Sequence, residues 1–144
     1  MRKLSLLITL VALMALSVSS VALAATKKGT AGNDTIYGTS DWDYIYGYAG
    51  ADKLYGRGGG DEIYGGDGYD YLYGESGYDA LYGDAGNDFL YGGADSDTVK
   101  GGYGQDTLEG GGGDDDLHGG YGHDVIYGRP GHDFLYGQPG NDTV

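Results

Sequence analysis

The sequence predicts an all-β fold, a parallel β-roll solenoid, on the strength of three observations. From Gly29 to Val144 the chain divides into nine-residue repeats without an insertion, twelve of them complete and a thirteenth lacking only its last residue. Every repeat has glycine at position one, aspartate at position six and Ile, Leu or Val at position eight. A fixed period of this kind is typical of a solenoid. Glycine recurs too often for stable helices.

Within each repeat, positions one to six are expected to form a turn, because glycine and aspartate favour turn conformations. Positions seven to nine predict a three-residue strand whose aliphatic residue faces inward and whose neighbours face outward. Two repeats, or eighteen residues, then make one coil with strands on opposite walls. Odd repeats are expected to stack on one wall and even repeats on the other, as parallel strands about 4.8 Å apart.

The first 24 residues differ from the repeats and predict a cleavable signal peptide. Arg2 and Lys3 precede an apolar run, and Ala22-Leu23-Ala24 is a small-x-small cleavage pattern. A transmembrane anchor is the alternative, but the run falls short of the roughly 20 strongly apolar residues that a span requires. We expect cleavage after Ala24, which makes the mature chain secreted and extracellular, with no membrane span after signal removal.

The mature chain is interpreted as a short linker, residues 25–28, followed by the repeat domain, residues 29–144. The formal net charge is −14, and no basic patch is available to bind nucleic acid. The chain has no cysteine, which excludes disulfides and thiolate zinc sites.

No catalytic arrangement stands out. His118 is at position nine, on a wall, whereas His123 and His132 are at position five of consecutive repeats, on opposite edges. These histidines are not expected to converge on one ion. There is no evident Ser–His–Asp triad and no isolated pair of carboxylates suited to glycoside hydrolysis. We therefore expect the protein not to be an enzyme.

Position six is the candidate metal site. Stacked carboxylates repel one another, and one aliphatic residue per repeat makes a small core, so a cation between the turns is expected. Carboxylate and backbone carbonyl oxygens in flexible glycine-rich turns suit Ca²⁺ better than zinc or copper. One row of candidate ligands comprises Asp34, Asp52, Asp70, Asp88, Asp106, Asp124 and Asp142. The other comprises Asp43, Asp61, Asp79, Asp97, Asp115 and Asp133. One ion in each gap between neighbours gives at most eleven Ca²⁺ ions.

The repeats resemble those of the RTX (repeats-in-toxin) family of haemolysin-type calcium-binding proteins, whose nonapeptide is G-G-x-G-x-D-x-U-x. The resemblance covers residues 29–144, and "GGDGYDYLY", "GGYGQDTLE", "GGGGDDDLH" and "GGYGHDVIY" match every fixed position. It implies a β-roll that binds calcium through the position-six aspartates and turn carbonyls, and that folds when it does so. Two departures from the family's pattern are expected to matter, the N-terminal signal and the end of the given sequence inside a repeat, with neither an effector domain nor a polar cap among residues 1–144. Either the chain is a fragment of a longer protein or its last coil frays.

Position nine is tyrosine in nine of twelve repeats, the exceptions being Lys100, Glu109 and His118. We expect ladders on the outer walls, with Tyr37, Tyr55, Tyr73 and Tyr91 on one face, Tyr46, Tyr64 and Tyr82 on the other, and Tyr127 and Tyr136 near the far end. Such ladders either stiffen the roll or present an aromatic surface to a glycan, a cell surface or another copy.

Asp41 and Asp95 replace the glycine of position four. Each is interpreted either as a slightly strained replacement, because aspartate tolerates the left-handed conformation, or as an additional carboxylate ligand.

The leading hypothesis is a secreted calcium-binding protein that folds on binding Ca²⁺ between stacked glycine and aspartate turns. One alternative is an adhesin or surface-layer element that uses the tyrosine ladders. Another is the calcium-binding fragment of a larger secreted hydrolase or toxin.

Overall fold

Residues 24–144 are described by a computed structural model, and they fold into parallel strands joined by tight turns. The predicted signal peptide lies outside the described residues, apart from Ala24. None of the described residues belongs to a helix with the length and hydropathy of a membrane span.

Thirteen strands follow one another along the chain. They are β1 (Ala25–Lys28), β2 (Thr35–Tyr37), β3 (Asp43–Gly50), β4 (Lys53–Gly58), β5 (Glu62–Gly68), β6 (Tyr71–Ser76), β7 (Ala80–Gly86), β8 (Phe89–Ala94), β9 (Thr98–Gly104), β10 (Thr107–Gly112), β11 (Asp116–Gly122), β12 (Val125–Tyr127) and β13 (Phe134–Tyr136).

The strands form two sheets, one of the seven odd-numbered strands and one of the six even-numbered strands, each stacked in chain order. All pairings are parallel, and partners such as Ile63 and Leu81 are eighteen residues apart. The predicted coil of two repeats and the separation of odd and even repeats onto opposite walls are thus confirmed.

Most strands are longer than the predicted three residues. β5 continues through positions one to four of the next repeat, and Gly66 and Gly68 remain in register with Asp84 and Gly86. The backbones approach closely there, since a Cβ built on Gly68 would lie 1.6 Å from the Gly50 carbonyl oxygen. Glycine therefore extends the ladder where a turn was expected, and only Tyr69 and Asp70 separate β5 from β6.

The core is a double row of position-eight side chains between the two sheets. Ten of them are 0–1% exposed, and Ile36 and Leu135 pack against the two ends of this cluster. The inward position of residue eight was predicted from its alternation with polar or aromatic neighbours, and it is confirmed in every repeat except the last, where Val144 is 65% exposed.

The segment 25–28, interpreted from the sequence as a linker, is a strand of the roll. β1 pairs with β3, which places Ala25 beside Asp43 and Lys27 beside Ile45. The segment lacks the repeat motif, but the hydrogen bonds of an edge strand involve the backbone and need no particular side chains. Lys27 therefore occupies a position-eight place at the end of the aliphatic row.

The outer walls carry the predicted tyrosine ladders over Tyr37, Tyr55 and Tyr73 and over Tyr46, Tyr64 and Tyr82. Tyr91 is in register with Tyr73, but the Tyr73 ring instead meets Phe89, with centroids 6.1 Å apart. Ring centroids are 4.9 Å apart for Tyr37 and Tyr55 and 4.7 Å apart for Tyr64 and Tyr82, with nearly parallel planes. The stacking continues through two of the exceptions, since Lys100 Nζ lies 5.5 Å from the Tyr82 ring centroid and His118 stacks on Tyr136 at 4.7 Å. Because the rings cover one another's faces, mainly their edges and hydroxyls face solvent.

Candidate calcium site

The position-six aspartates lie inside the roll, not on the rim of the turns. Those from Asp43 to Asp124 are only 0–3% exposed, whereas Asp34, Asp133 and Asp142 at the two ends are half-buried. In β3 the buried residues alternate, beginning with Asp43, then Ile45 and Gly47. Positions six, eight and one thus share the inward face, which the period-two rule predicts when it is extended beyond positions seven to nine.

One carboxylate oxygen of each aspartate takes part in the sheet ladder. The backbone N–H of each aspartate donates to Oδ1 of the aspartate one coil further on, at 2.7–3.1 Å, in an unbroken series along both rows. A side-chain oxygen therefore replaces the backbone carbonyl that would accept this hydrogen bond in an ordinary parallel sheet. This bond gives the aspartate a structural role in addition to any metal binding.

The second carboxylate oxygen, Oδ2, is buried and accepts no hydrogen bond in nine of the aspartates. Burying an ionised oxygen without a partner is costly, so such atoms call for an explanation. The nine are Asp52, Asp61, Asp70, Asp79, Asp88, Asp97, Asp106, Asp115 and Asp124.

The position-one glycine faces each Oδ2 across the turn. A Cβ built on Gly74 would lie 2.3 Å from Asp79 Oδ2 and 2.5 Å from the carbonyl oxygen of Gly92 in the next coil. The same carboxylate contact falls at 2.2–2.8 Å in all thirteen repeats. Only glycine leaves this space open, and two oxygen atoms, one charged and one polar, face it together.

Burial raises the pKa of eight of these carboxyl groups, and neighbouring carboxylates add to the effect, although the backbone N–H donated to Oδ1 acts in the opposite direction. The eight are Asp61, Asp70, Asp79, Asp88, Asp97, Asp106, Asp115 and Asp124. The pKa of Asp97 is raised to about 8 and that of Asp61 and Asp88 to about 7. The pKa of Asp70, Asp79 and Asp106 is raised to about 6. The interior therefore resists ionisation unless a positive charge lies nearby.

The donor atoms fit a calcium ion. Among residues 24–144, no three acidic or histidine side chains cluster around one point. A cation in this interior would therefore bind one or two carboxylates and complete its shell of six to eight oxygens with backbone carbonyls. The unpartnered Oδ2 atoms and the facing glycine carbonyls are hard oxygen donors of this kind, with no sulfur or nitrogen ligand among them.

The first two repeats differ from the others. Thr39 donates to Asp43 Oδ2 through its backbone N–H at 2.5 Å and its hydroxyl at 2.9 Å. Thr30 makes the same two bonds to Asp34 Oδ2, at 2.6 and 2.9 Å. Sequence analysis missed this difference, although threonine at position two of these repeats alone was a visible signal.

The two aspartates at position four behave differently from each other. Asp95 adopts a left-handed backbone with φ of 74°, as the strained interpretation predicted, and its side chain is exposed. Asp41 has no positive φ, and its backbone N–H instead donates a hydrogen bond to Thr39 Oγ1 at 3.2 Å.

The histidines lie apart from the carboxylate rows. His118 stacks on the outer wall with Nε2 3.0 Å from Asp116 Oδ1, and His123 Nδ1 accepts the Asn141 N–H at 3.0 Å. His132 donates its backbone N–H to Asp114.

A parallel β-solenoid with internal rows of unpartnered carboxylate oxygens defines the class as a cation-binding repeat protein. A family model, the RTX calcium-binding nonapeptide repeat, matches the chain in four copies, over residues 28–54, 55–90, 91–123 and 109–144. The matches span most of the chain, which therefore belongs to this family of calcium-binding repeats. A search of curated proteins gives no significant match.

Proposed function

We propose that this protein is exported and that it folds into its β-roll when Ca²⁺ binds between the stacked turns. The observation that carries the proposal is the set of nine buried Oδ2 atoms without a hydrogen-bond donor. The signal-like N-terminus supports export, and family membership supports calcium as the ion.

In this proposal the position-six aspartates and the position-one glycines have different roles in binding the ion. Each Oδ1 continues the sheet ladder and so fixes the orientation of the carboxylate plane. Each Oδ2 supplies negative charge to the interior, and the position-one glycine leaves space beside it. Bound calcium supplies the positive charge that lets these carboxyl groups ionise inside the roll.

Coupling between binding and folding follows from linkage. The carboxylates are brought into rows only by the coiled backbone, so an ion that binds the rows stabilises the folded state by mass action. Extracellular calcium modules work at about 10⁻⁴–10⁻³ M, well above cytosolic calcium. The chain is accordingly expected to stay unfolded before export and to fold outside the cell.

Circular dichroism of the chain from Ala25 onward, titrated with CaCl₂ after chelation, tests the proposal. We expect a disordered spectrum in chelator, a β spectrum at millimolar calcium, and no comparable change with MgCl₂, which demands a stricter geometry. A full β spectrum in excess chelator at pH 8 would contradict it.

A further inference from the structure

The backbone at position two divides the repeats into two groups. From the third repeat to the thirteenth this residue has a positive φ, whether it is glycine or a residue such as Tyr48, Arg57 or Gln138. Thr30 and Thr39 are the two position-two residues without a positive φ. Threonine is branched at Cβ, which makes the left-handed region especially unfavourable. These two threonines therefore hold the first two turns in a different conformation.

The different conformation supplies hydrogen-bond donors where the other turns have none. In the first two turns, the Thr30 and Thr39 N–H and hydroxyl groups point at Oδ2 of Asp34 and Asp43. Asp61, one coil after Asp43 in the same row, is equally buried, but its Oδ2 has no donor. Donor hydrogens aimed at Oδ2 satisfy the carboxylate and also oppose a cation at the same oxygen.

These turns also lie at the end of the stack, where an ion between turns would have fewer oxygen neighbours. The end is instead closed by β1. The Ala25 N–H donates to Asp43 Oδ1 at 3.2 Å, and Lys27 lies in register with Ile45 at the end of the aliphatic row.

We propose that Thr30 and Thr39 take the place of calcium in the first two turns, which form a metal-free cap, so that calcium binds only from Asp52 and Asp61 onward. The inference rests on the proposed function, because it states which of the predicted ligands bind the ion. The row from Asp52 to Asp142 then has five gaps and the row from Asp61 to Asp133 has four. The maximum number of bound Ca²⁺ ions therefore falls from eleven to nine.

Native mass spectrometry of the chain from Ala25 onward, at saturating calcium, counts the ions. We expect at most nine in the wild type and in the Thr30→Ser/Thr39→Ser variant, which keeps the hydroxyl donors. Thr30→Gly/Thr39→Gly frees φ at position two and removes the hydroxyls, and should bind up to two more ions. Equal counts in the wild type and the glycine variant would overturn the inference.

A second pair of variants keeps the test decisive if the glycine variant folds poorly. Asp43→Asn should leave the ion count unchanged, whereas Asp79→Asn, in the middle of the same row, should lower it. Loss of a bound ion in Asp43→Asn would overturn the proposal that the first two turns are metal-free. Absence of bound calcium from the wild type would instead reject the proposed function itself.

Discussion

At the residue scale, position six is aspartate in every repeat because its two carboxylate oxygens make different contacts. Oδ1 accepts the backbone N–H of the preceding coil, as between Asp70 and Asp88. Oδ2 faces the position-one glycine, where any side chain would collide with it. The two fixed residues of the repeat therefore depend on one another.

Substitution of a position-one glycine should be damaging. In Gly74→Ala the new methyl group would overlap Asp79 Oδ2 and the Gly92 carbonyl, so we expect a loss of about 1–3 kcal/mol in the free energy of unfolding. Urea denaturation in saturating calcium measures it. Gly112→Ala is the matched control, since nothing lies within 4 Å of its built Cβ. Equal stability of the two variants would refute the account.

At the element scale, each strand from β2 to β13 contributes one aliphatic side chain to a core that is only two rows wide. Leu72 is 0% exposed and lies in register between Leu54 and Leu90, whereas Leu135 packs at the end of its row. Because the row is so narrow, few neighbouring side chains can move into a cavity left by a truncated residue. Each inner residue of the row is therefore expected to contribute strongly to the stability of the fold.

Leu72→Ala should therefore destabilise the calcium-loaded roll by about 2–5 kcal/mol, through lost burial and the cavity left behind. Leu135→Ala should cost clearly less, because its side chain is only partly buried in the native state. Urea midpoints in saturating calcium compare the two variants. A smaller loss for Leu72→Ala than for Leu135→Ala would contradict the core as described.

At the scale of the whole molecule, the rows of carboxyl groups make stability depend on pH in opposite directions with and without calcium. Burial raises the pKa of Asp97 to about 8 and that of Asp88 to about 7. In the metal-free chain the folded state therefore binds more protons than the unfolded state, whose carboxyl groups titrate near their usual pKa of about 3.9. Protonation and calcium are alternative ways to neutralise the same interior.

We thus expect the calcium-free chain to gain β structure as the pH falls from about 8 towards 4, across the interval between the raised and the unperturbed pKa values. In calcium the opposite is expected, with weaker binding at pH 5 than at pH 8, because protons compete for Oδ2. Circular dichroism at both pH values, with and without calcium, measures the two trends. A calcium-free fold that is less ordered at pH 5 than at pH 8 would be inconsistent with this account.

The periodic sequence by itself determined the coil of two repeats, the parallel stacking and the inward position of residues such as Leu72, because these depend on a local pattern that repeats identically. Tertiary structure decided which carboxylate oxygens accept hydrogen bonds and which segments outside the repeats join the sheets. Whether an oxygen of Asp79 accepts a hydrogen bond depends on N–H groups of the adjacent coil and of its own turn. The sign of φ at position two decides whether the N–H of its own turn points at that oxygen. The same is true of two further contacts. The sheet position of Lys27 depends on pairing between residues eighteen apart, and the hydrogen bond from Thr39 to Asp43 depends on residues that face each other across a turn.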